Sequence, residues 1–468
     1  MKELTESDYR RIILRRDPHY DGRLYFGVKT TKIYCRPVCP ARPNFKNIVV
    51  YKSQTEAEMA GCRPCLRCRP DLAPGNRFIE PGRNLAASGL RLIEESGENE
   101  ISSDAIALKL GISARHLRRV FDEQLGASPM DIIQSRRLHL AKQFVLDTNS
   151  NITDIAFASG FNSVRRFNES FKKCYRTTPS QLRKAKGKNL STGDSITLQI
   201  LIRKPYDFSS VLAYLQRHAA GEIEQVKENK YIRYIPVGKT YATVEVSLNR
   251  KKDALTVNLH RLPLKQIQEV LHGIRRLFDV DLNPAHLPVI CSKTHPGLRV
   301  PASYNPFETA IAIILSQLVS VKQATDKLSQ LIQLFGILID KEKNIYSFPT
   351  ATVLQGAAVE EIGLTRTKAA AIRSLATMVE EQALYFSYSA DLSTTRKQLL
   401  SIKGIGPWTT EMIMMRCFGA ADACPASDLI VKRALDQNLV DEKPWKTNRS
   451  YMTHFIWNEF AETLSKKR

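Results

Sequence analysis

The chain has few acidic residues relative to basic ones. Its 468 residues include 47 aspartates and glutamates against 69 lysines and arginines, which gives a formal charge of +22 at pH 7. A polyanion such as DNA or RNA is the natural partner of this excess. The alternative that charge alone leaves open is a basic surface without a partner.

Long hydrophobic runs are also absent. The longest, "AIAIILSQLVSV" from Ala310 to Val321, is shorter than the roughly 20 residues that a membrane-spanning helix needs. The opening "MKELTESDYRRIILRR" lacks the apolar core and cleavage site of a signal peptide. These absences predict a soluble protein of the reducing cytoplasm, where clustered cysteines are more often metal ligands or nucleophiles than disulfides.

Patterning predicts a multidomain α+β fold. The length favours two to four domains, and the polar stretches "DLAPGNRFIEPGRN" and "AKGKNLSTGD" separate a cysteine-bearing segment, a helical middle segment and a longer region. From Ile196 apolar residues alternate along "SITLQILI", and strands and helices mix in a small α/β unit. Beyond about Pro284 helical patterns dominate, which predicts an all-α body.

Five cysteines lie between Cys35 and Cys68. Three residues separate Cys35 from Cys39, and two separate Cys65 from Cys68, so a loop that joins the pairs would suit a tetrahedral zinc site. Cys62 and Cys65 form a second C-x2-C pair, which leaves the fourth ligand open from spacing alone. Buried free thiols, or a zinc that only stabilises the fold, are the alternatives.

The text around these cysteines, "RDPHYDGRLYFGVKTTKIYCRPVCPARPNFKN" with "GCRPCLRCRPD", resembles the N-terminal metal-binding domain of the Ada family. That domain accepts methyl groups from DNA methylphosphotriesters. The resemblance implies one Zn²⁺ bound by Cys35, Cys39, Cys65 and Cys68, with Cys35 as the methyl acceptor and Cys62 outside the ligand set. A methyl thioether has no evident exit, so we expect an acceptor that is used once.

The middle segment contains two similar units, "SSDAIALKLGISARHLRRVFDEQLG" and "NITDIAFASGFNSVRRFNESFKKCYRTTPSQL". Each has a short helical pattern, a glycine-centred turn and a serine that can cap the next helix, which predicts helix-turn-helix units. The second helix of such a unit enters the major groove of DNA. The candidate DNA-contacting residues near its start are Arg115, Arg118 and Arg119 in one unit and Arg165 and Arg166 in the other. The stretch from about Leu85 to Lys184 resembles the AraC-type DNA-binding domain; solvated arginines on a helical packing domain are the alternative.

The C-terminal region contains "LLSIKGIGPWTTEMIMMRCFGAADACPASDLIVKRAL". Gly404 and Gly406 permit a tight turn between helices, and the amides that begin the second helix can bind a DNA phosphate. This pattern predicts a helix-hairpin-helix, with a hairpin unrelated to DNA as the alternative. Asp428 precedes the helical pattern "LIVKRAL", where a carboxylate can also serve as a helix cap.

These motifs, with "ILSQLVSVKQAT", "WKTNRSYMTHFIW" and "RKPYDFSSVLAYL", resemble AlkA-type 3-methyladenine DNA glycosylases of the helix-hairpin-helix superfamily. The resemblance implies that double-stranded DNA is bound and a base is flipped out. The residues it nominates are Asp428 as the catalytic carboxylate, Leu318 beside Gln317 as the wedge, Gly404 and Gly406 at the phosphate, and Trp408, Tyr214, Met412 and Trp445 around the base. Core packing is the alternative role for the aromatic residues.

Bifunctional relatives have a lysine where this chain has Trp408, so we expect cleavage to stop at an abasic site. Met412 replaces a pocket tyrosine and Asn448 a common tryptophan, which leaves the range of excised bases open.

The resemblances define four domains and one combined function. The domains are an Ada-type zinc domain over residues 1–78, an AraC-type all-α domain over 85–184, an α/β subdomain over 195–285 and a helix-hairpin-helix body over 286–468. Together they imply a bacterial, nucleoid-associated protein that senses alkylated DNA, regulates transcription with RNA polymerase as a candidate partner, and excises alkylated bases. A DNA-binding regulator with a lesion-binding but non-catalytic C-terminal half is the alternative. No "PCHRV"-like text is present, so we do not expect repair of O6-methylguanine.

Overall fold

A computed structural model describes residues 4–41, 43–75, 85–95, 102–186, 195–387, 389–440 and 448–465. Its backbone contacts divide the chain into two units. The first comprises Met1–Lys204, Asn249–Thr256 and Leu262–His272, and the second comprises Pro205–Leu248, Val257–Arg261 and Gly273–Arg468. This division is coarser than the four domains drawn from the sequence, whose boundaries stay predictions.

The chain alternates short strands with helices at its start and becomes mainly helical towards its end. In chain order the helices are α1 Glu6–Arg15, α2 Gln54–Met59, α3 Leu85–Glu95, α4 Ser103–Lys109, α5 Ala114–Leu125, α6 Pro129–Asp147, α7 Ile152–Ala158, α8 Val164–Tyr175, α9 Pro179–Lys186, α10 Phe208–His218, α11 Ile267–Leu277, α12 Val289–Thr294, α13 Pro306–Leu315, α14 Val321–Phe335, α15 Ala351–Leu354, α16 Arg366–Glu380, α17 Leu392–Ser401, α18 Pro407–Cys417, α19 Leu429–Asp436 and α20 Arg449–Ser465. The strands are β1 Tyr25–Val28, β2 Ile33–Cys35, β3 Ile48–Tyr51, β4 Arg63–Pro64, β5 Ser195–Leu201, β6 Glu224–Lys227, β7 Lys230–Val237, β8 Thr240–Asn249, β9 Ala254–His260, β10 Leu338–Asp340 and β11 Ile345–Tyr346.

A four-stranded sheet of order β3-β1-β2-β4 organises the N-terminal cysteines. Strand β2 pairs with β1 in antiparallel fashion, with Phe26 opposite Cys35, and with β4 in parallel. Because β2 and β4 run in the same direction, the chain leaves both strands at the same edge of the sheet. Cys35 ends β2 and Cys65 directly follows β4, so the topology brings the two cysteine pairs together.

The middle segment forms the two predicted helix-turn-helix units, α4–α5 and α7–α8, which the 19-residue helix α6 joins. The turns contain Gly111 and Gly160 with φ of +66° and +79°, a conformation that glycine adopts without steric cost. The hydroxyl of Ser113 accepts a hydrogen bond from the amide of His116, and that of Ser163 accepts one from Arg166. Local turn and cap chemistry therefore produced both units as predicted.

A five-stranded sheet of order β5-β9-β8-β7-β6 follows. The period-two pattern read from the sequence is confirmed in β5, where Leu198 and Ile200 are buried between more accessible neighbours. Beyond it the described residues are mainly helical and include one antiparallel strand pair, β10 and β11, in which Leu338 lies opposite Tyr346. No period-two pattern indicated these two strands, because three and two residues are too few to produce one. None of the helices in the described ranges is long and apolar enough to cross a membrane.

Within the first unit, a buried ion pair links the cysteine-bearing sheet domain to helix α6. The ammonium of Lys142 lies 2.6 Å from a carboxylate oxygen of Asp71, and neither side chain is exposed to solvent. Arg69 approaches the other oxygen of Asp71 at 3.0 Å. Burial opposes ionisation of Asp71, but Lys142 and Arg69 together hold its pKa below the ordinary value.

A second contact between these domains centres on Glu58. Its carboxylate accepts hydrogen bonds from the hydroxyls of Tyr34 at 2.8 Å and Ser135 at 2.7 Å, and it lies 2.7 Å from the ring of His139. Ser135 and His139 lie on α6, whereas Glu58 and Tyr34 belong to the sheet domain. The sheet domain and the helical domain that contains α6 therefore share a polar, largely buried interface.

We expect Asp71→Asn to destabilise the first unit by about 3–5 kcal/mol, because it leaves the buried Lys142 without its counter-charge. Amide hydrogen exchange in the sheet domain and in α6 would measure the change locally. The double variant Asp71→Asn/Lys142→Met should be less destabilised than Asp71→Asn alone, because it buries no unpaired ammonium. Equal protection in Asp71→Asn and the unmodified chain would contradict the assignment of this ion pair.

Candidate functional site

Four cysteine thiols converge at the edge of the N-terminal sheet. The sulfur atoms of Cys35, Cys39, Cys65 and Cys68 all lie within 4.8 Å of one another. Four sulfurs around one Zn²⁺ at the usual bond length are about 3.8 Å apart. The cluster therefore fits one zinc ion, with the four-cysteine donor set that is one of the common structural zinc sites.

Backbone hydrogen bonds fix the loops that carry these thiols. The amide of Cys39 donates to the carbonyl of Arg36 at 3.1 Å, and the amide of Cys65 donates to the carbonyl of Tyr34 at 2.9 Å. The guanidinium of Arg36 in turn donates to the carbonyl of Cys68 at 3.2 Å and pairs with Asp21 in the domain interior. The donor atoms are thus held in place by the fold around them.

Cys62 lies outside this cluster, as the resemblance implied. It is buried among Tyr25, Tyr34 and Ala57, and its sulfur is 3.8 Å from the hydroxyl of Tyr51. The ambiguity left by the two overlapping C-x2-C pairs is resolved by position in the sheet. Of the four clustered thiols, Cys35 is only 3% exposed and Cys65 is half-buried.

The arginines nominated in the helix-turn-helix units are all on the exposed faces of α5 and α8. The exposed side chains are those of Arg115, Arg118, Arg119, Arg165 and Arg166. Leu117 and Phe121 on α5, and Phe167 and Phe171 on α8, are fully buried on the opposite faces. The amphipathic arrangement leaves both arginine faces accessible to a DNA groove.

Helices α17 and α18 form the predicted hairpin. Gly404 has a φ of +96°, and a Cβ at this position would lie 2.9 Å from the carbonyl oxygen of Thr367, so both conformation and space require glycine. Gly406 caps the N-terminus of α18, and a Cβ there would meet nothing within 4 Å. The space beside Gly406 is therefore open at the N-terminus of α18, the end of a helix that favours a phosphate.

Asp428 is both a helix cap and the centre of an aromatic site. One carboxylate oxygen accepts hydrogen bonds from the amides of Ile430 at 3.1 Å and Val431 at 3.2 Å at the start of α19. The indole N–H of Trp457 donates to the same oxygen at 3.0 Å, and that of Trp408 donates to the other oxygen at 3.3 Å. The cap role that the sequence left as an alternative is real, and it orients the carboxylate between two indoles.

Trp457 was not among the site residues nominated from the sequence. It lies on α20, 29 positions after Asp428, within the motif "WKTNRSYMTHFIW" that carried the glycosylase resemblance. Its place in that motif was the available signal. Because the contact joins two helices, no local pattern could have indicated the hydrogen bond to Asp428.

A cationic side chain lies beside these aromatics. The guanidinium carbon of Arg416 is 4.4 Å from the ring centre of Tyr214 and 5.7 Å from that of Trp457. His218 stacks on Tyr214 with ring centres 4.1 Å apart. Tyr214 therefore lies in the same cluster as Trp457, with its ring packed against Arg416 and His218; its role in base binding stays a prediction.

The histidines near Arg416 are held neutral. Burial, with the positive charges of Arg416 and Arg217 as smaller causes, lowers the pKa of His218 to about 4. Burial and Arg416 also hold the pKa of His454 well below its ordinary value. Both lowered pKa values favour the neutral imidazole at neutral pH.

Leu318 lies in the loop between α13 and α14, fully exposed and with a φ of +57°. The side-chain amide nitrogen of Gln317 donates to the carbonyl of Gly404 at 2.9 Å and to the hydroxyl of Thr409 at 2.8 Å. The nominated wedge is therefore linked directly to the hairpin. An exposed leucine of this kind is available to insert between bases.

The remaining nominated residues are placed as follows. Met412 is half-buried on α18, and Trp445 lies outside the described residues. Asn448 donates from its side chain to the carbonyl of His286 at 3.0 Å. Of the predicted base-pocket set, the structure brings Trp408 into contact with Asp428 and Tyr214 into the same aromatic cluster.

Three family models match this chain: the metal binding domain of Ada over residues 8–71, a helix-turn-helix domain over 106–185 and the AlkA N-terminal domain over 197–305. The chain thus combines an Ada-type metal-binding domain, a helix-turn-helix domain and an AlkA-type domain.

Individual relatives match the same regions. The chain is 29% identical to the probable bifunctional transcriptional activator/DNA repair enzyme AlkA of Mycobacterium tuberculosis, over 97% of this chain and 96% of the relative. DNA-3-methyladenine glycosylase 2 of Escherichia coli is 29% identical over 54% of this chain and 94% of its own length. The solved 3-methyladenine DNA-glycosylase from Archaeoglobus fulgidus is 19% identical, with a TM-score of 0.45, and covers 56% of this chain and 92% of its own.

Proposed function

We propose that this chain is an alkylation-response protein that excises alkylated bases from double-stranded DNA and regulates transcription. The observation that carries the proposal is Asp428, which two backbone amides and two indoles hold beside a helix-hairpin-helix. Base excision by a flipping enzyme needs such a carboxylate, a hairpin that grips the backbone and a wedge. The relative that matches 97% of the chain is named as both activator and repair enzyme.

In the proposed reaction the flipped nucleotide lies with its sugar near Asp428 and its base near Trp408. The C–N bond breaks, its electron pair leaves with the base, and the sugar gains positive charge that the carboxylate of Asp428 stabilises. A water molecule then adds to the sugar and loses a proton. Trp408 offers an aromatic face to a cationic alkylated purine, while Tyr214, already packed against Arg416, supports the pocket from behind.

We expect wild-type protein to leave intact abasic strands. Trp408 occupies the position of the lysine that attacks the sugar in bifunctional relatives, and an indole cannot form a Schiff base. Incubation of methylated duplex DNA with the protein should release free base, and strand breaks should appear only after alkali. Borohydride should trap no protein–DNA adduct. Strand cleavage without alkali would contradict a monofunctional reaction, and absence of base release would favour the non-catalytic alternative.

We further propose that Cys35 accepts a methyl group from DNA methylphosphotriesters. Zinc, when bound by the four cysteines, would keep their sulfurs deprotonated and nucleophilic at neutral pH. The sulfur of Cys35 attacks the methyl carbon, the carbon–oxygen bond breaks, and the phosphate leaves as a diester anion. The site loses one negative charge, and we expect stronger binding to DNA as a result.

The interface between the metal-binding domain and α6 supports a regulatory role for this transfer. Asp71 lies three positions after Cys68 and is buried against Lys142 of α6, so the methyl acceptor and the DNA-reading helices share one packed unit. We propose that the protein works on promoter and damaged DNA in the bacterial cytoplasm, as part of the nucleoid, with RNA polymerase as its protein partner. Equal operator affinity before and after methylation would contradict the switch.

A further inference from the structure

The backbone of the Leu318 loop adopts a conformation that needs support. A φ of +57° is uncommon for a residue with a side chain, and leucine has no polar group to stabilise it locally. Leu318 is also fully exposed, so no packing of its own side chain holds it there. The conformation must therefore be stabilised by contacts to the backbone that adjoins Leu318.

Lys368 supplies such contacts. Its ammonium donates to the carbonyl of Gln317 at 2.6 Å and to the carbonyl of Leu315 at 3.2 Å. Leu315 ends α13, and the carbonyls of a helix's last turn have no partner within the helix and favour a cation. Lys368 therefore anchors the chain directly before Leu318.

The first turn of α16, which carries Lys368, also contacts the hairpin. The carbonyl of Thr367 lies against Gly404, where even a Cβ would come within 2.9 Å. Gln317 bonds to the same Gly404 from the wedge loop. The wedge, the hairpin and the start of α16 therefore meet at one point, and Lys368 and Gln317 are the polar links between them.

We propose that Lys368 is a positioning residue for base flipping, which holds the exposed Leu318 at a fixed distance from the Gly404–Gly406 hairpin. This inference rests on the proposed glycosylase function and on Leu318 as its wedge. A loop that is already ordered before DNA binds loses no conformational entropy when the base is flipped. Without Lys368 the loop relaxes, and its reordering opposes extrusion of a paired base.

The test measures the single-turnover rate of base release by the full chain on two DNA substrates. Both contain one N-methylated purine, which is fully paired in a duplex in the first and lies in a short unpaired bubble flanked by duplex in the second. We expect Lys368→Met to slow base release from the paired site by about tenfold, because a charged hydrogen bond is lost. The rate of release from the bubble should stay within about twofold of the wild-type rate. Lys368→Arg should restore the paired rate, because it keeps the donors. Lys368→Gln serves as a second variant should methionine perturb folding.

Three controls make the outcome decisive. Lys327→Met removes a lysine of α14 whose ammonium donates to the carbonyl of Ile362, and should leave both rates unchanged. Leu318→Ala should reproduce the paired-site defect, and Lys368→Met should add nothing to it. Equal losses on both substrates, or a reduced salt dependence of DNA binding, would instead mark Lys368 as a phosphate contact and overturn the proposal.

The inference and the function on which it rests fail in different ways. If wild-type protein releases no base from either substrate, the proposed glycosylase function fails. If wild type is active and Leu318→Ala is slow on paired DNA, while Lys368→Met matches wild type, only the role of Lys368 is refuted.

Discussion

Replacing Asp428 with asparagine is expected to lower the rate of base release by about 10²- to 10³-fold, the usual effect of removing an electrostatic stabiliser of the transition state. The substitution removes the negative charge but keeps size and shape. Asparagine is also a good helix cap, so its carbonyl oxygen can still accept hydrogen bonds from the amides of Ile430 and Val431. The defect should therefore appear in the rate of the chemical step at saturating enzyme, with DNA affinity and unfolding temperature largely retained.

Asp391 provides a matched control for this experiment. It caps α17 through hydrogen bonds from the amides of Ser393 and Thr394, as Asp428 caps α19, but it contacts neither indole. Asp391→Asn should leave base release unchanged. If Asp428→Asn also releases base at the wild-type rate, the carboxylate has no catalytic role and its function is that of a cap.

The two indole hydrogen bonds to Asp428 explain why this aspartate differs from the other helix caps. Trp457 and Trp408 approach opposite oxygens of the carboxylate, which fixes the plane of the group relative to the hairpin. A carboxylate that needs no reorientation stabilises positive charge more effectively than one in water. This arrangement, rather than the presence of an acid in the sequence, supports assignment of the chemistry to Asp428.

Replacing Cys35 with serine is expected to abolish methyl uptake from methylphosphotriester DNA. A serine hydroxyl is neither a thiolate nor a good zinc ligand, so the variant loses the nucleophile. Intact-mass measurement should show one added methyl group on the wild-type chain and none on Cys35→Ser. Peptide mapping should place the methyl on Cys35.

Two variants separate loss of the acceptor from loss of the metal. Cys39→Ser removes one ligand of the same cluster but leaves the sulfur of Cys35, and should retain some uptake. Cys62→Ala changes a buried cysteine outside the cluster and should behave as wild type. Cys65 is more exposed than the other three cysteines of the cluster and is therefore the alternative acceptor. A methyl group found on Cys65 would contradict the assignment to Cys35.

Much of the fold was predictable because its signals are local. The helix-turn-helix units depend on a glycine such as Gly111 with positive φ and on a serine such as Ser113 directly before the helix that it caps. The helix-hairpin-helix depends likewise on Gly404. The two cysteine pairs of the zinc site are each local, and the resemblance to the Ada family excluded Cys62.

Contacts distant in sequence could not be predicted from patterns. The hydrogen bond from Trp457 to Asp428, the ion pair between Lys142 and Asp71, and the anchoring of the wedge loop by Lys368 each join separate elements. The strands β10 and β11 were missed because they are too short to carry a periodic signal.

The amino-acid sequence by itself determined most of the helices and the longer strands and the residue types they carry, because turns, caps and periodicity act over a few residues. Tertiary structure alone decided how those residues are used. It placed two indoles on one helix cap, buried one cysteine away from four others, and set a lysine beneath an exposed leucine. The physical reason is that hydrogen-bond geometry and burial depend on distances between elements, and packing of the whole domain sets those distances.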